Sequence, residues 1–388
     1  KSVTAGRDLA VRVNNGSWSE TQWLTNDNSH DENQDVATLD DNSTSLVAWE
    51  RVDTTEVEDN TPEEFFSETE LAVATADGVS PTEWSQPELL SNDTKETLTY
   101  QPVVAANESH WVVAWERNTA NDPETFDNRA VEYALISPTA DGISVEKTQT
   151  IEGAMRPDVT ARSDGGFSLG YYTPANGTTT GDIVQATIDK SGSISSESTY
   201  SVETFGDLTV SNDQVAWSEG SGPTERIQYV QGSANPTELE LSGGISGVDD
   251  IELTSNSESV ALTYRGTPGE NSTRDIVYRF KQNGEWSADQ RVAGGNDNLT
   301  VWHADTTPSG DTFQTAYAAQ PFGTDGINDI FVEEQAIGPR HTVTATSDEE
   351  VAAVVGHLGP KAEPGIVGAF VDEAAVDDRV DLPRDGER

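Results

Sequence analysis

The feature that most constrains the fold of this chain is a short apolar run that ends in an aromatic residue and recurs along most of the sequence. The run "LVAWERV" at residues 46–52 returns almost unchanged as "VVAWERN" at residues 112–118. Weaker copies follow, and successive copies are 45 to 66 residues apart. A period of this length indicates many copies of one supersecondary unit. The seven aromatic ends are Trp49, Trp115, Tyr172, Trp217, Tyr264, Tyr317 and Phe370.

Each copy of the run has strand-like neighbours. In the first unit, "DVATL" from Asp35 precedes it, and "ELAVATADG" from Glu70 and "WSQPELL" from Trp84 follow it. Runs rich in β-branched and aromatic residues, separated by Asp-Gly or Asn-Gly, predict antiparallel hairpins. Four such strands per unit, repeated radially, form a β-propeller. The sequence therefore predicts an all-β fold in which the aromatic on each second strand packs between neighbouring sheets.

The two ends of the chain predict the number of blades. Residues 7–24 match the third and fourth runs of the sixth unit at 274–292, but no first and second runs precede them. The runs at 351–358 and 365–370 supply the missing pair. We therefore expect one seven-bladed β-propeller domain over residues 1–375, closed by about 7–24 plus 350–372 in one blade, and an acidic C-terminal tail or linker at 376–388. Closure of this kind leaves no free sheet edge.

The net charge restricts the environment and the partners. The chain has 69 acidic and 22 basic residues, a formal charge of −47, and only six lysines. Such self-repulsion is tolerated where molar salt screens charges to about 3 Å, and the composition resembles that of proteins from extreme halophiles. A nucleic-acid partner needs a basic face that this composition excludes. No apolar run approaches the roughly 18 residues of a membrane span, so we expect no membrane insertion.

Other features favour an exported protein. Lysine stands at position 1, which fits a processed chain, and no cysteine is present, which excludes disulfides and thiolate metal sites. Asn-x-Ser/Thr sequons fall mostly in predicted loops, as glycosylation requires. We expect an extracellular or cell-surface glycoprotein of a halophile. The seven sequons are at Asn15, Asn42, Asn92, Asn107, Asn176, Asn271 and Asn298.

Two outer hairpins carry degenerate Asp-box motifs, "TADGVSPTEW" at 75–84 and "NNGSW" at 14–18. On these motifs the chain resembles the sialidase-type and related sugar-binding propellers, although Trp84 and Trp18 do not keep the family's spacing from the glycine. The resemblance implies the propeller fold. Sialidases also use an arginine cluster, a Tyr-Glu pair and an Asp acid, but no Arg-Ile-Pro motif stands near the start of this chain. We therefore assign no catalytic residue.

The candidate binding face is the one where loops after second strands and between blades gather. Its long loops are predicted at 25–35, 51–69, 91–101 and 117–128. Arginines there could bind a carboxylate ligand in a fork. They could instead pair with neighbouring glutamates, and this structural alternative is favoured. The candidate ligand-binding residues are Glu50, Arg51, Glu116, Arg117, Tyr172 and Arg265.

The acidic loop "NDNSHDENQD" is an oxygen-rich segment. Asn26, Asn28, Asp31 and Asp35 are candidate Ca²⁺ ligands, because Ca²⁺ takes six to eight oxygen ligands in flexible geometry. The spacing is not that of an EF-hand, and so acidic a chain also produces such runs by chance.

Motifs of common hydrolases are missing from the sequence. It contains neither G-x-S-x-G nor H-E-x-x-H, and its five histidines fall in different units. We therefore expect a non-enzymatic binding or scaffold propeller that contacts glycan or protein partners. One alternative is a secreted glycoside hydrolase or lyase, with its acid and nucleophile among the carboxylates of the candidate binding face and Tyr171 or Tyr172. Another is a structural subunit of a surface assembly or virion.

Overall fold

The fold was analysed in a computed structural model. It describes residues 8–13, 19–39, 44–53, 69–78, 83–91, 98–118, 128–140, 142–175, 180–221, 224–232, 234–241, 244–256, 258–268, 273–294, 299–309, 312–321, 329–335, 344–345 and 368–370. The regular structure in these ranges is almost entirely β-strand. None of it is a helix long and apolar enough to cross a bilayer.

Twenty-eight strands are defined in these ranges. The first half comprises β1 (Ala10–Val13), β2 (Gln22–Trp23), β3 (Ser29–Thr38), β4 (Thr44–Asp53), β5 (Thr69–Asp77), β6 (Glu88–Leu89), β7 (Leu98–Ala106), β8 (Trp111–Asn118), β9 (Arg129–Thr139), β10 (Gly142–Glu152), β11 (Met155–Ala161), β12 (Phe167–Pro174), β13 (Gly181–Ile188) and β14 (Ile194–Val202). The second half comprises β15 (Phe205–Ser211), β16 (Gln214–Glu219), β17 (Arg226–Gln231), β18 (Thr237–Leu239), β19 (Ser246–Ser255), β20 (Ser259–Thr267), β21 (Asp275–Gln282), β22 (Glu285–Trp286), β23 (Gln290–Gly294), β24 (Leu299–Ser309), β25 (Thr312–Pro321), β26 (Asp329–Gln335), β27 (Thr344–Ala345) and β28 (Gly368–Phe370).

Six antiparallel sheets follow one another along the chain. Sheets 1 to 4 contain β3–β6, β7–β10, β11–β14 and β15–β18, each in sequence order. Sheet 5 contains β19–β22, with β23 also paired to β21, and sheet 6 contains β24–β27. The first strands of consecutive sheets contact one another. The all-β propeller prediction is thus confirmed, with six complete blades in the described residues.

The sheets are held together by the predicted aromatic residues. Each of six buried apolar clusters is shared by two consecutive sheets. Trp49, Trp115 and Trp217 are at most 2% exposed, and each packs against the sheet before its own. The structural role predicted for these tryptophans is confirmed, because burial of a large aromatic side chain removes much apolar surface from water.

The third sheet corrects one position in the repeat. Tyr171, rather than Tyr172, packs towards the preceding sheet as the tryptophans do. Tyr172 faces the following sheet, where its ring stacks on Phe205 at 4.2 Å between centroids and lies beside Trp217. Neighbouring strand residues point to opposite faces, so a one-residue shift in the alignment reverses the predicted direction of the side chain.

A closing sheet joins the two ends of the chain. In it, β1 pairs with β2 on one side and with β28 on the other, in the register Val11↔Phe370 and Arg12↔Ala369. Leu9, Val11 and Val13 pack against sheet 1, around Trp49. The pairing of N-terminal with C-terminal strands in one sheet is as predicted. The run at 351–358 and the tail at 376–388 lie outside the described residues.

Candidate functional site

A β-bulge recurs in the first strand of each complete sheet. The register of β3 against β4 shifts between Glu32 and Asp35, opposite Trp49, and corresponding shifts occur in β7, β11, β15, β19 and β24. Four residues at these bulges have positive φ: Asn33, Gln101, Arg156 and Asp250. A bulge redirects the side chains beside it. Here it brings polar groups to one end of the first strands.

Acidic residues of the first strands surround the propeller axis. The pKa of Glu252 is raised well above its ordinary value by burial and then by the charges of other carboxylates. These belong to sheets 1, 3, 4 and 5, so groups from opposite sides of the ring face one central channel. We name the set the channel carboxylates: Asp35, Asp158, Asp207, Asp250 and Glu252.

Most channel carboxylates also hold adjacent sheets together. Asp35 Oδ2 accepts a hydrogen bond from Val104 N of the next sheet at 2.6 Å, and Asp158 Oδ2 accepts one from Val210 N at 2.6 Å. Asp207 and Asp250 accept corresponding bonds from the sheets that follow them. The Asp at the bulge of each of these first strands therefore links its sheet to the next one.

Two of the channel carboxylates, Asp207 and Glu252, have raised pKa values. Burial raises the pKa of Asp207 to about 6, with a further contribution from Asp250 and an opposing one from Arg156. Perturbed carboxyl groups that face one another are typical of functional sites, although structural networks also produce them. This pair is the candidate acid–base site of the channel.

The Glu-Arg pair of the repeated motif has its own structural role. Glu50 is 6% exposed, and its Oε1 accepts a hydrogen bond from Gln101 N of the next sheet at 2.6 Å. Glu116 is fully buried, and its Oε2 accepts one from Arg156 N of the next sheet at 3.0 Å. Each glutamate thus satisfies the backbone amide of a bulge residue, which would otherwise be costly to bury.

The predicted arginine cluster is not formed by free guanidinium groups. Arg51 pairs with Asp27 at 2.5 Å and Asp31 at 3.2 Å, and Arg117 pairs with Glu132 at 3.1 Å. Arg265 pairs with Asp249 at 2.8 Å. Arg265 directly follows its aromatic residue and therefore corresponds to Glu50, not to Arg51, in the repeat. The arginines are engaged in ion pairs, but the predicted pairing with neighbouring glutamates is wrong: the partners are Asp27, Asp31, Glu132 and Asp249.

Other ion pairs occupy the same end of the sheets. Arg129 binds Glu116 at 2.7 Å, and Arg226 binds Glu219 at 2.7 Å. Tyr172, the remaining predicted ligand-binding residue, is 2% exposed, and burial raises its pKa. The six predicted residues are therefore engaged in internal contacts rather than presented together to a ligand.

One arginine missed by the sequence analysis differs from these. Arg156 is exposed, lies at the bulge of β11 beside the channel, and makes no ion pair with any described residue. Its charge opposes the rise in the pKa of Asp207 and of Tyr100, which places the guanidinium near both groups. The signal in the sequence was an arginine immediately before the run "PDVTA", which resembles "DVATL" of the first unit.

The predicted metal ligands are only partly brought together. Asp35 lies in the channel, where its carboxylate accepts hydrogen bonds from Val36 N and Val104 N. Asn26 and Asn28 are exposed. The carboxylates that do meet are Asp8, Asp27 and Asp31, whose ligand atoms lie within 4.8 Å of one another. Asp31 thus belongs to a different group from the one predicted.

One glycosylation sequon lies within the described residues. Asn107 is 6% exposed, its Nδ2 donates to Gly165 O at 2.8 Å, and its Oδ1 accepts from two backbone amides. A glycan is attached through Nδ2, so glycosylation at Asn107 is incompatible with these contacts. The sequons at Asn15, Asn42, Asn92, Asn176, Asn271 and Asn298 lie outside the described residues.

Comparison with known proteins gives structural likenesses only. No family matches the sequence, and no curated protein matches it. A sialidase of Trypanosoma rangeli in complex with sialic acid aligns at 8% identity and TM-score 0.48, over 87% of this chain and 58% of that one. The β-propeller domain of the Trilobed protease from Pyrococcus furiosus aligns at 8% and 0.46, over 80% and 86%.

An acylaminoacyl peptidase of Pyrococcus horikoshii aligns at 9% identity and TM-score 0.46 over 79% of this chain. The matched part is 46% of the peptidase chain, so this chain spans about half of its length. Identities this low carry no activity or ligand over to this protein.

The buried Glu50 leads to a prediction about pH. Burial raises its pKa from 4.5 to about 7, so between these values the folded state holds a proton that the unfolded state releases. The contribution of Glu50 to stability therefore falls as pH rises through this window. We expect Glu50→Gln to raise the free energy of unfolding at pH 8 by on the order of 2–3 kcal/mol, with little change at pH 4.5. Urea unfolding in molar KCl at both pH values measures this.

The matched control is Glu83→Gln, which makes the same change at an exposed glutamate. It should leave the free energy of unfolding close to the wild-type value at both pH values. If Glu50→Gln destabilised the protein equally at pH 4.5 and pH 8, the account of a desolvated carboxyl group would be wrong.

Proposed function

We propose that this protein is a non-enzymatic binding or scaffold propeller at the cell surface of a halophile. Its binding face is the end of the sheets where the second strands finish, which we name the loop face. The observation that carries the proposal is Arg156, an exposed guanidinium near Asp207 that makes no ion pair with any described residue. The ligand class is a glycan with a carboxylate, or an acidic group on a protein partner, because guanidinium binds carboxylate in a fork.

Four carboxylates at this end of the sheets favour binding over catalysis. Glu50, Glu116, Asp35 and Asp158 are all engaged by backbone amides of the next sheet. These hydrogen bonds hold the loop face in one shape and restrict the movement of the carboxylates. Pre-organisation of this kind lowers the cost of ligand binding.

The wider setting of the proposal rests on the sequence. We propose that the closing sheet is the seventh blade and that the net charge of −47 is an adaptation to molar salt, where short screening lengths limit self-repulsion. Export, glycosylation at the remaining sequons and a role in adhesion are parts of the same proposal. A scaffold role in a surface assembly would use the same face for a protein partner.

A glycan array in molar KCl tests the proposal. Wild-type protein should bind acidic glycans saturably, and Arg156→Gln should lose most of that binding. The matched control is Arg162→Gln, because Arg162 immediately follows the other end of β11 and is paired with Asp164 at 3.3 Å. Equal binding by the three proteins, or none by the wild type, would contradict the proposal.

A second candidate function is that of a glycoside hydrolase or lyase whose reaction takes place in the channel. The raised pKa values of Asp207 and Glu252 favour it, because a general acid must stay protonated near neutral pH. Wild-type protein would then release sugar from the array glycans, and Glu252→Gln would not. That result would favour this function over the binding proposal.

A further inference from the structure

Three carboxylates meet where the closing sheet joins sheet 1. Asp8 precedes β1, Asp27 lies in the segment between β2 and β3, and Asp31 is on β3. Asp27 N donates to Asp8 Oδ1 at 3.0 Å, so the two segments are held against each other at this point. Three negative charges within 4.8 Å repel one another strongly unless a cation lies among them.

Arg51 compensates only part of this charge. It contacts Asp27 Oδ2 and Asp31 Oδ1, which gives one positive charge for three carboxylates. Trp49 Nε1 also donates to Asp31 Oδ1, at 2.8 Å. Both of these hydrogen bonds go to Asp31 Oδ1.

The other oxygen of Asp31 lacks a partner. Its side chain is fully buried, and Oδ2 makes no hydrogen bond with any described residue. A buried carboxylate oxygen without a donor is costly, and a metal ion removes that cost.

We propose that Asp8, Asp27 and Asp31 bind a divalent cation of the Ca²⁺ class, through Asp31 Oδ2 and one oxygen from each of the other two. Hard cations prefer carboxylate oxygens, and the Thr25 hydroxyl beside Asp31 is a further oxygen of the kind they accept. The ion fastens the segment before β1 to sheet 1. The proposal keeps the ion predicted from the sequence and changes its ligands.

Tb³⁺ luminescence in molar KCl tests the proposal. Tb³⁺ binds Ca²⁺ sites, and Trp49, bonded to Asp31, would sensitise its emission. Wild-type protein should show saturable Tb³⁺ emission on tryptophan excitation, and added Ca²⁺ should displace it. Asp31→Asn keeps an acceptor for Trp49 but removes the charge, and Asp27→Asn changes an exposed ligand with little risk to folding. Each should weaken binding at least about tenfold, since even outer-shell changes cost 10–100-fold.

Two further variants distinguish this site from general binding to an acidic surface. Arg51→Gln should tighten Tb³⁺ binding, because a competing positive charge is removed. Glu83→Gln, beside Trp84, should have no effect. The proposal would be overturned if Asp31→Asn and Asp27→Asn bound Tb³⁺ as well as the Glu83→Gln control does. It would also be overturned if Arg51→Gln did not bind Tb³⁺ more tightly than the wild type. The test does not involve Arg156 or glycans, so it stands or fails separately from the proposed function.

Discussion

Replacing Trp115 by alanine is expected to lower the free energy of unfolding by about 3–5 kcal/mol, as for other large-to-small changes in protein cores. Trp115 is 2% exposed and fills the cluster between sheets 1 and 2 with Leu46, Ala48 and Val113. Its Nε1 makes no hydrogen bond with any described residue, so the decrease in the free energy of unfolding reports the loss of packing and not of a hydrogen bond. Urea unfolding in molar KCl, at one pH and protein concentration, gives the value.

The matched control is Trp23→Ala, the same change at a tryptophan that is 41% exposed on β2. It should change the free energy of unfolding by no more than about 0.5 kcal/mol. Similar losses in the two variants would mean that the repeated aromatic is not the element that holds the sheets together.

Much of the fold could be predicted from the sequence because each unit repeats the same local pattern. A four-strand unit needs only hairpin signals and alternation, and both recur around Trp49, Trp115 and Trp217. The third unit was misaligned by one residue because two tyrosines, Tyr171 and Tyr172, are adjacent. Only packing against a neighbouring sheet distinguishes them.

The functional site could be predicted less well. The bulges bring Asp35, Asp158 and Glu252 from distant repeats to one channel, and no local pattern encodes that convergence. Arg51 forms ion pairs with Asp27 and Asp31 rather than with its neighbour Glu50, because neighbouring strand residues point to opposite faces of the sheet. Asp8 could not be connected with Asp31 before the closing sheet was known to pack on sheet 1.

Joining β1 to β28 by a disulfide is expected to have the second large effect. The register places Arg12 opposite Ala369, and the chain has no cysteine, so Arg12→Cys/Ala369→Cys creates a single possible bridge. A bridge that closes a loop of several hundred residues should stabilise the folded chain by about 3–5 kcal/mol, mainly by restricting the unfolded state. The control is Arg12→Cys/Ser191→Cys, with the second cysteine in an exposed turn of sheet 3.

The rate of this bridge is the most direct test of the central claim, a propeller closed by its own two ends. Mild oxidation in molar KCl, followed on a non-reducing gel, should convert the Arg12→Cys/Ala369→Cys protein rapidly and completely to a bridged monomer with a higher melting temperature. The control should remain reduced or form dimers. If both proteins oxidised at the same slow rate, the N-terminal and C-terminal strands would not be paired, and the closed ring would be wrong.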